Sequence, residues 1–262
     1  AIEYHYDKQQ LKAALKSVGV KRGDIIFSHV GMGFLGYPKE GRTLADMFKV
    51  VSSALLEALE PDGTLLVPTY SYSFCKSEPF DVQATPSTVG YFTERFRQLP
   101  QVKRSAEPIF SVAGIGLKAD ELFANLPSTC FGPDCLYDRL VKADASICNI
   151  GVGFRYATFV HYAEETFGVP YRFKKTFAGN IINNGIAAPS SFTYYVRTGV
   201  DDSTTFPDLR QLEKEARTRG YCKSHPVGKG EVTTISCRNL LQLCKEGIKQ
   251  DPWYLAKGIN KK

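Results

Sequence analysis

The fold is decided by residues 43–68, which read TLADMFKVVSSALLEALEPDGTLLVP. Thr43 with Asp46 three positions later forms a capping box, and the apolar residues after it recur at helical spacing. Pro61-Asp62-Gly63 stops the predicted helix. The apolar run Thr64–Pro68 that follows predicts a buried strand. A helix that leads directly into an apolar strand is typical of an α/β protein.

The same alternation of helix and strand extends outward along the chain. Further helices are predicted over residues 10–18, 85–98, 118–125, 137–143, 158–167, 209–219 and 240–248. Further strands are predicted over residues 24–29, 109–115, 146–150, 192–198 and 231–235. We therefore expect an α/β fold with a central, largely parallel or mixed sheet flanked by helices, and a smaller C-terminal α+β part. We expect one domain over residues 1–262, with at most a subdomain boundary near residues 168–190, where the composition shifts.

The composition is that of a compact globular protein, with 43% hydrophobic and 23% charged residues. No apolar run approaches the roughly 18 residues that span a bilayer, and the N-terminal segment carries charges in place of a signal-peptide core. We expect a soluble, cytoplasmic protein with no membrane partner. The seven cysteines form no CxxC pair and are odd in number, which favours a reducing compartment. We also expect no structural metal.

The charge balance is mildly basic, since 33 Lys and Arg against 27 Asp and Glu give a net charge of +6. This excess favours anionic partners such as phosphorylated cofactors. It does not indicate nucleic acid, because the basic residues of 210–219 alternate with glutamates as on a solvated helix face. The sequence leaves the oligomeric state open, a homo-oligomer included.

A glycine-rich segment follows the first predicted strand. Gly31-Met32-Gly33-Phe34-Leu35-Gly36 satisfies G-x-G-x-x-G. A dinucleotide fingerprint needs a helix that opens within the motif, and here residues 37–41 break the chain first. We interpret the segment as a loop whose glycines let a phosphorylated ligand approach backbone amides. With residues 68–70 and 150–153, it lies at the strand ends where α/β sheets bind ligands.

A second candidate site lies in the predicted helix over residues 158–167. Thr158, His161 and either Glu164 or Glu165 share one face of that helix. An imidazole has a pKa near ~6.5, and a neighbouring carboxylate raises it, so the pair is suited to taking a proton from an amine or a thiol. The alternative is a histidine that only satisfies its own hydrogen bonds. The spacing alone leaves both interpretations open.

Other nucleophilic schemes lack their motifs. The chain has no G-x-S-x-G elbow and no G-x-x-x-x-G-K-[ST] loop. Cys148, the thiol nearest in sequence to His161, lies in a predicted buried strand, where cysteines are usually inert.

Short motifs follow one another along the chain in a specific order. They are His29, Pro61-Asp62-Gly63-Thr64, Pro68-Thr69-Tyr70-Ser71, Thr85-Pro86-Ser87 with Gly90 and Glu94, Arg104-Ser105 with Pro108 and Ser111, and Thr158-x-x-His161-x-x-Glu164. Each motif alone is weak, but their joint order and spacing resembles the aminoglycoside 3-N-acetyltransferase family over residues 10–240.

The resemblance implies an α/β fold distinct from the GNAT acetyltransferases, with acetyl-CoA as donor and an amine as acceptor. It makes His161 the general base, oriented by an acid and accompanied by Thr158. We expect a direct acyl transfer in which Glu164 or Glu165 stabilises the imidazolium. It also implies a CoA site bordered by two segments. Their residues are His29, Val30, Gly31, Met32, Gly33 and Gly36 in the first segment, and Ser111, Val112 and Ala113 in the second.

The acceptor pocket departs from that of the drug-modifying members. Those members carry Arg-Ser-x-His-Pro where this chain has Arg104-Ser105-Ala106-Glu107-Pro108, and serines where it has Val30 and Gly31. Aminoglycosides are polycations, whereas a net charge of +6 suits an acceptor that carries negative charge. The tail motifs at 169–173 and 251–255 resemble members associated with bacterial surface-polysaccharide synthesis. We therefore predict that the acceptor is a nucleotide-linked amino sugar for polysaccharide synthesis.

Candidate residues of the acceptor pocket are Tyr70, Phe74, Glu107, Glu165, Tyr171 and Arg172. The aromatic ones are equally compatible with core positions, and Arg104 and Arg172 could either meet phosphates or form structural ion pairs. Three alternatives to the polysaccharide enzyme stay open. They are an aminoglycoside 3-N-acetyltransferase that confers antibiotic resistance, a Cys–His amide hydrolase, and a non-catalytic CoA-binding module.

Overall fold

The computed structural model describes residues 3–258, in which ten strands and eight α-helices are present. The strands are β1 (Ile25–Phe27), β2 (Thr64–Pro68), β3 (Phe80–Asp81), β4 (Lys103–Arg104), β5 (Val112–Gly116), β6 (Ser146–Ile150), β7 (Arg172–Asn183), β8 (Ile186–Arg197), β9 (Lys223–Val227) and β10 (Gly230–Ser236). The α-helices are α1 (Lys8–Ser17), α2 (Leu44–Leu59), α3 (Tyr91–Phe96), α4 (Ala119–Phe123), α5 (Leu136–Lys142), α6 (Phe159–Phe167), α7 (Arg210–Thr218) and α8 (Cys237–Gln250). Within this described range, no helix has the length and apolar character that a membrane crossing requires.

Seven of the described strands form a central sheet in the order β4-β5-β2-β1-β6-β10-β9. The strands at its centre, β2, β1 and β6, run parallel, and the other neighbouring pairs of this sheet are antiparallel. β3, β7 and β8 form a second sheet. The predicted α/β fold with a mixed sheet flanked by helices is confirmed, with the parallel pairing confined to the centre.

Each face of the central sheet carries a hydrophobic core. Side chains of a strand point alternately to opposite faces. Ile26 and Leu65 therefore pack on the side of α1 and α2, whereas Phe27 and Leu66 pack on the side of α5, α6 and α8. This double layer of helices buries β1 and β2, apart from the half-buried Ile25 at the amino end of β1.

The predicted capping box opens α2. The Thr43 hydroxyl accepts from the N–H of Asp46, and the Asp46 carboxylate accepts from the N–H of Thr43, each at 3.1 Å. The helix then leads back to β2, all five residues of which are buried. The segment that decides the fold therefore forms the predicted helix and strand.

α3 begins at Tyr91, six residues later than predicted. The preceding residues are held in turns instead: the Thr85 hydroxyl accepts from the N–H of Asp81 at 2.8 Å, and the N–H of Ser87 donates to Glu94 at 2.7 Å. The proline motif at this point therefore marks a loop rather than a helix start.

The hairpin of β7 and β8 is longer than the predicted strand over 192–198. Its two-residue turn is Asn184-Gly185, both of which have positive φ, 49° and 78°. This is the residue pair that two-residue hairpin turns prefer. The sequence therefore contains a signal for β7, although the prediction does not include this strand. β9 is likewise absent from the sequence-based prediction and forms the edge of the central sheet.

Candidate active site

A cavity of about 440 Å³ opens at the carboxyl ends of the parallel strands β1, β2 and β6. From these strand ends come His29, Val30, Gly31, Pro68, Tyr70 and Val152. Phe34, Tyr72, Val89, Thr93, Tyr156 and Thr158 complete the wall. These described lining residues include no carboxylate, ammonium or guanidinium group. The cavity therefore suits an uncharged, partly apolar ligand, at the edge of the sheet where the sequence predicts a ligand site.

His29 lines this cavity and is held by Asn149 of β6. Nδ1 of His29 lies 2.9 Å from Oδ1 of Asn149. The Nδ2 of Asn149 donates to the carbonyls of Gly153 and Tyr156, at 2.6 and 3.2 Å, so the amide oxygen faces the imidazole. Burial lowers the pKa of His29 to about 4. The ring is therefore neutral near pH 7, with its proton on Nδ1.

His161 is paired with Glu164, one turn later on α6. Nδ1 of His161 lies 2.7 Å from Oε2 of Glu164. Nδ1 has a second partner, Nη2 of Arg172 at 3.1 Å, which can only donate, whereas the ionised carboxylate can only accept. The carboxylate contact is the shorter one, so we assign the proton to Nδ1, which leaves Nε2 as the basic nitrogen. No described residue hydrogen-bonds this Nε2, and 17% of the side chain stays exposed. Of the two glutamates that the spacing leaves open, Glu164 is the one that orients the ring.

Glu164 is almost fully buried and is held from the start of β7. Its Oε2 lies 2.7 Å from Nε of Arg172, an ion pair without hydrogen-bond geometry. The Tyr171 hydroxyl donates to Oε1 at 2.8 Å, and the Tyr171 ring packs on Trp253 with centroids 4.9 Å apart. The prediction that Tyr171 and Arg172 line the acceptor pocket is corrected here: both are buried against Glu164, where they fix the carboxylate.

The pKa of His161 is lowered from its ordinary value. Burial is the largest cause, followed by the positive charge of Arg172, whose Nη2 lies 3.1 Å from Nδ1. Glu164 acts in the opposite direction but does not outweigh them. The neighbouring carboxylate thus raises the pKa, as the sequence predicts, but the net shift is downward because burial and Arg172 outweigh it. The imidazole is unprotonated near neutral pH, which is the state that a general base needs.

Thr158 connects the cavity to the helix that carries His161. It precedes the first residue of α6 and lines the cavity. The Tyr70 hydroxyl lies 2.9 Å from that of Tyr137, and Tyr70 and Thr158 both line the cavity. Burial raises the pKa of Tyr70, so its hydroxyl stays protonated. The structure thus brings Thr158 and Tyr70 together at the wall of the cavity.

A second cleft, of about 310 Å³, borders the same helix. It is lined by Phe131, Gly132, Pro133, Asp138, Tyr162, Glu165, Thr166 and Lys174. Phe131 packs edge-on against the imidazole of His161, with ring centroids 5.5 Å apart. The Glu165 side chain is 5% exposed; one carboxylate oxygen lies 3.4 Å from Nζ of Lys174, and the other has no hydrogen-bond partner among the described residues. His161 itself lines neither opening among the described residues. It contacts the cleft through Phe131, and Thr158, three positions earlier in the chain, lines the cavity.

Only part of the predicted cofactor loop borders the cavity. Val30 and Gly31 do so, whereas Met32 is buried in the core beside α2. Gly33 and Gly36 do not border it. The reason is a single 3₁₀ turn in this segment, which directs Met32 inward. The predicted cofactor contact of Met32 is therefore corrected, whereas those of Gly33 and Gly36 stay predictions.

The second predicted cofactor segment belongs to the framework. Val112 and Ala113 are buried on β5, and the Ser111 hydroxyl donates to the Thr69 carbonyl at 2.8 Å. Nη2 of Arg104 donates to the same carbonyl at 2.7 Å. None of these four predicted residues borders the cavity. Arg104 therefore holds β4 against the segment after β2. This hydrogen-bonding role takes the place of the phosphate contact and of the structural ion pair that the sequence suggested for it.

Phe74 and Glu107 also lie away from the cavity and the cleft. Phe74 is buried and packs edge-on against Phe192. The carboxylate of Glu107 accepts from the N–H groups of Ile109 and Phe110, at 2.8 and 2.6 Å. Burial raises the pKa of Glu107 to about 7. Their predicted place in the acceptor pocket is therefore corrected: one is core, and the other anchors a buried turn.

Asn149 and Phe131 contact the two histidines but are absent from the sequence-based prediction. A signal for Asn149 exists, because an amide in the apolar strand Ser146–Ile150 must find buried hydrogen bonds. Phe131 has no comparable signal, since an aromatic residue in a loop is compatible with any core position.

The described residues contain no group of three His, Cys, Asp or Glu side chains that could hold a metal ion. All seven cysteines have free thiols. Cys130, next to Phe131 in sequence, directs its Sγ to Glu107 at 3.5 Å, and burial raises its pKa. No thiol of the described residues hydrogen-bonds His161, so the Cys–His hydrolase alternative lacks its nucleophile.

Comparisons with known proteins identify relatives over most of the chain. The family model of aminoglycoside 3-N-acetyltransferase matches residues 29–249. Aminoglycoside N(3)-acetyltransferase IV from Salmonella is 33% identical over 173 residues, which are 65% of this chain and 63% of that enzyme. That match therefore spans less than two thirds of the enzyme's length.

Two solved structures share the fold. A mutant of AAC(3)-IVa in complex with gentamicin C1A has a TM-score of 0.78 at 25% identity, and the match covers 96% of this chain and 91% of that one. AAC-IIIb, solved as a binary complex with CoASH, has a TM-score of 0.80 at 18% identity, with coverage of 94% and 97%. The second likeness shows the fold alone.

These relatives correct the predicted acceptor. The matching family and relatives are aminoglycoside acetyltransferases, so the prediction of a nucleotide-linked amino sugar for polysaccharide synthesis is wrong. It depended on the net charge of +6, which averages over the whole surface and does not report the charge of one cleft. The predicted enzyme class, a CoA-dependent N-acyltransferase, is confirmed by the family match, which narrows it to an N-acetyltransferase. The chain belongs to the aminoglycoside 3-N-acetyltransferase family.

Proposed function

We propose that this protein transfers the acetyl group of acetyl-CoA to the 3-amino group of an aminoglycoside. The observation that carries the proposal is the family match over residues 29–249, which includes the His161–Glu164 pair and every residue of the uncharged cavity. The CoASH and gentamicin C1A complexes of the structural neighbours support the same donor and acceptor.

In the proposed reaction, Nε2 of His161 removes a proton from the acceptor amine as its nitrogen attacks the thioester carbonyl. The new C–N bond gives a tetrahedral intermediate, and its collapse breaks the C–S bond. The departing thiolate takes the proton from the imidazolium, which restores the neutral ring. Glu164, 2.7 Å from Nδ1, stabilises the imidazolium between these two steps. No acyl-enzyme is required.

The two openings beside α6 support separate places for the two substrates. We assign the pantetheine arm of the donor to the uncharged cavity, where Thr158 and Tyr70 would border the thioester end. We assign the polycationic acceptor to the cleft that carries Glu165, because an ammonium group is stabilised by a carboxylate with an unsatisfied oxygen. His161 would then act where the two substrates meet.

Thiol release from acetyl-CoA in the presence of gentamicin C1A or sisomicin tests the proposal. We expect one thiol released per acetyl group transferred, with the acetyl group on the 3-amino nitrogen by mass spectrometry and NMR. A nucleotide-linked amino sugar serves as the comparison acceptor and should give no release above background hydrolysis. Binding of CoA without acetylation of any aminoglycoside would contradict the proposal and favour the non-catalytic module.

A further inference from the structure

The Nε2 atom of His29 is buried and has no hydrogen-bond partner among the described residues. The imidazole is 7% exposed and lines the uncharged cavity. A buried polar atom that stays unpaired destabilises the fold, so such an atom at a ligand cavity points to a partner that the ligand brings. The general base assigned above is His161, and the reaction scheme leaves His29 without a role.

The hydrogen bonds behind His29 decide what that partner must be. Asn149 donates through Nδ2 to two backbone carbonyls, which can only accept, so its amide cannot be rotated without losing both bonds. Its Oδ1 therefore faces Nδ1 of His29 and requires a proton there. The N–H of His29 itself also points at this oxygen, at 3.3 Å. In the neutral ring Nε2 is then a hydrogen-bond acceptor, and the missing partner is a donor.

The composition of the cavity restricts the chemistry of that donor. No described lining residue carries a carboxylate that would compensate an ammonium group, and none carries a cation that would hold a phosphate. An uncharged N–H or O–H group on a partly apolar ligand fits this wall best. The pantetheine arm of CoA has this character, because two amide N–H groups and one hydroxyl are its donors on an otherwise apolar, uncharged chain. An ester replacement of each amide in turn distinguishes the amide donors from the hydroxyl.

The position of the cavity relative to α6 fits the same ligand. His29 follows β1, and Thr158, at the start of the helix that carries His161, lines the same cavity. An arm that passes His29 can therefore present its thioester near Thr158 and the base.

We propose that Nε2 of His29 accepts a hydrogen bond from a pantetheine amide N–H of the donor, and that Asn149 fixes the tautomer which makes this bond possible. The inference rests on the proposed donor and adds the atom that recognises it. His29 is then a donor-binding residue, and Asn149 is a positioning residue that acts through it.

Calorimetric titration of the wild-type protein with CoA alone, without any acceptor, tests the inference directly. The comparison ligands are two CoA analogues, in each of which one pantetheine amide N–H is replaced by an ester oxygen. We expect one of the two analogues to bind about ten-fold more weakly than CoA, because it offers a lone pair where Nε2 needs a donor. The measurement needs no substitution and is therefore independent of any folding defect.

The matched variant is His29→Asn. An asparagine side chain can reach the position of Nδ1, and so keep a donor for Asn149, but it cannot reach that of Nε2. We expect this variant to bind CoA about ten-fold more weakly than the wild type and to bind CoA and the weaker analogue equally. In ¹⁵N-histidine spectra of the wild type, the His29 signal, identified by its loss in the variant, should be that of an Nδ1–H tautomer and should move when CoA is added.

The outcomes separate this inference from the proposed function. If the wild type binds CoA and both ester analogues with equal affinity, the inference is overturned while the acetyltransferase proposal stands. An Nε2–H tautomer in the CoA complex would overturn it as well. If the wild type binds no CoA, the proposed donor fails, and this inference fails with it.

Discussion

Nδ1 of His161 lies 2.7 Å from Oε2 of Glu164, and that same oxygen lies 2.7 Å from Nε of Arg172. One carboxylate oxygen therefore serves both an imidazole and a guanidinium in a buried place. The arrangement fixes the ring with Nε2 free, while burial and, after it, the nearby guanidinium lower the pKa of the ring, so that it is unprotonated in the resting state. A base held in this way is neutral before the reaction and has its counter-charge already in place when it takes a proton.

Replacing His161 by alanine should reduce turnover by about 10²- to 10⁴-fold, the usual contribution of a general base. The affinity for CoA should be retained, because the proposed donor contacts lie in the other cavity. Steady-state acetylation of gentamicin C1A and calorimetric CoA titration measure the two quantities. The control is His225→Ala, on the edge strand β9, which should leave both unchanged. Full turnover by the His161 variant would contradict the role assigned to this residue.

The adjacent glutamates should differ sharply in their contribution to stability. Glu164→Gln leaves the Arg172 guanidinium, with 2% of its side chain exposed, without a counter-charge, so we expect the free energy of unfolding to fall by about 3–5 kcal/mol. Glu165→Gln should change it by less than about 1 kcal/mol, because Lys174 is 64% exposed and can turn into water. Urea denaturation of both variants measures the difference. If both variants lost the same free energy of unfolding, the special role of Glu164 as the counter-charge of Arg172 would be contradicted.

Removing the charge of Arg172 should raise the pKa of His161. In the wild type, burial and this guanidinium lower that pKa, so His161 becomes protonated only when the pH falls below the ordinary pKa of an imidazole. In Arg172→Met the positive charge is gone and the attraction of Glu164 remains, so protonation should occur at higher pH. An NMR titration of the His161 imidazole resonances reads this pKa. Arg172→Lys keeps the charge and should keep the pKa of His161 lowered. A fall of this pKa in the methionine variant would contradict the role assigned to the charge of Arg172.

Glu107 should make the free energy of unfolding depend on pH. This dependence should lie between the pKa of Glu107 in the unfolded protein and its pKa in the folded protein. Burial raises the pKa to about 7 from 4.5, so the folded state binds this proton more tightly than the unfolded one. The contribution of Glu107 is therefore fully present below about pH 4.5 and is lost as the pH rises through about 7, by about 3 kcal/mol in total. Glu107→Gln cannot ionise and should lose this slope.

The test for Glu107 compares the free energies of unfolding of the wild type and the glutamine variant at several pH values. The difference between the two isolates this one group, since the other titrating residues are common to both proteins. A difference that stays constant from pH 4.5 to pH 7 would mean that Glu107 is ionised in the fold.

The sequence was sufficient wherever the deciding contacts are local. The bounds of β2 and β6 agree with prediction to the residue, since short apolar runs are set apart by turn residues. The capping box of α2 agrees because its two partners lie three positions apart. The shared face of Thr158, His161 and Glu164 follows from helix geometry alone. The family resemblance was likewise readable, because it consists of motifs in a linear order.

The sequence alone does not determine side-chain contacts whose two partners come from distant elements of the fold. Helical spacing places both Glu164 and Glu165 near His161, and only the packing of β7 against α6 selects Glu164, through Tyr171 and Arg172. The tautomer of His29 depends on Asn149, 120 residues away. The acceptor chemistry depends on which charges line one cleft, and a net charge cannot report that. Local geometry is fixed by the backbone, whereas these contacts exist only once strands and helices have packed.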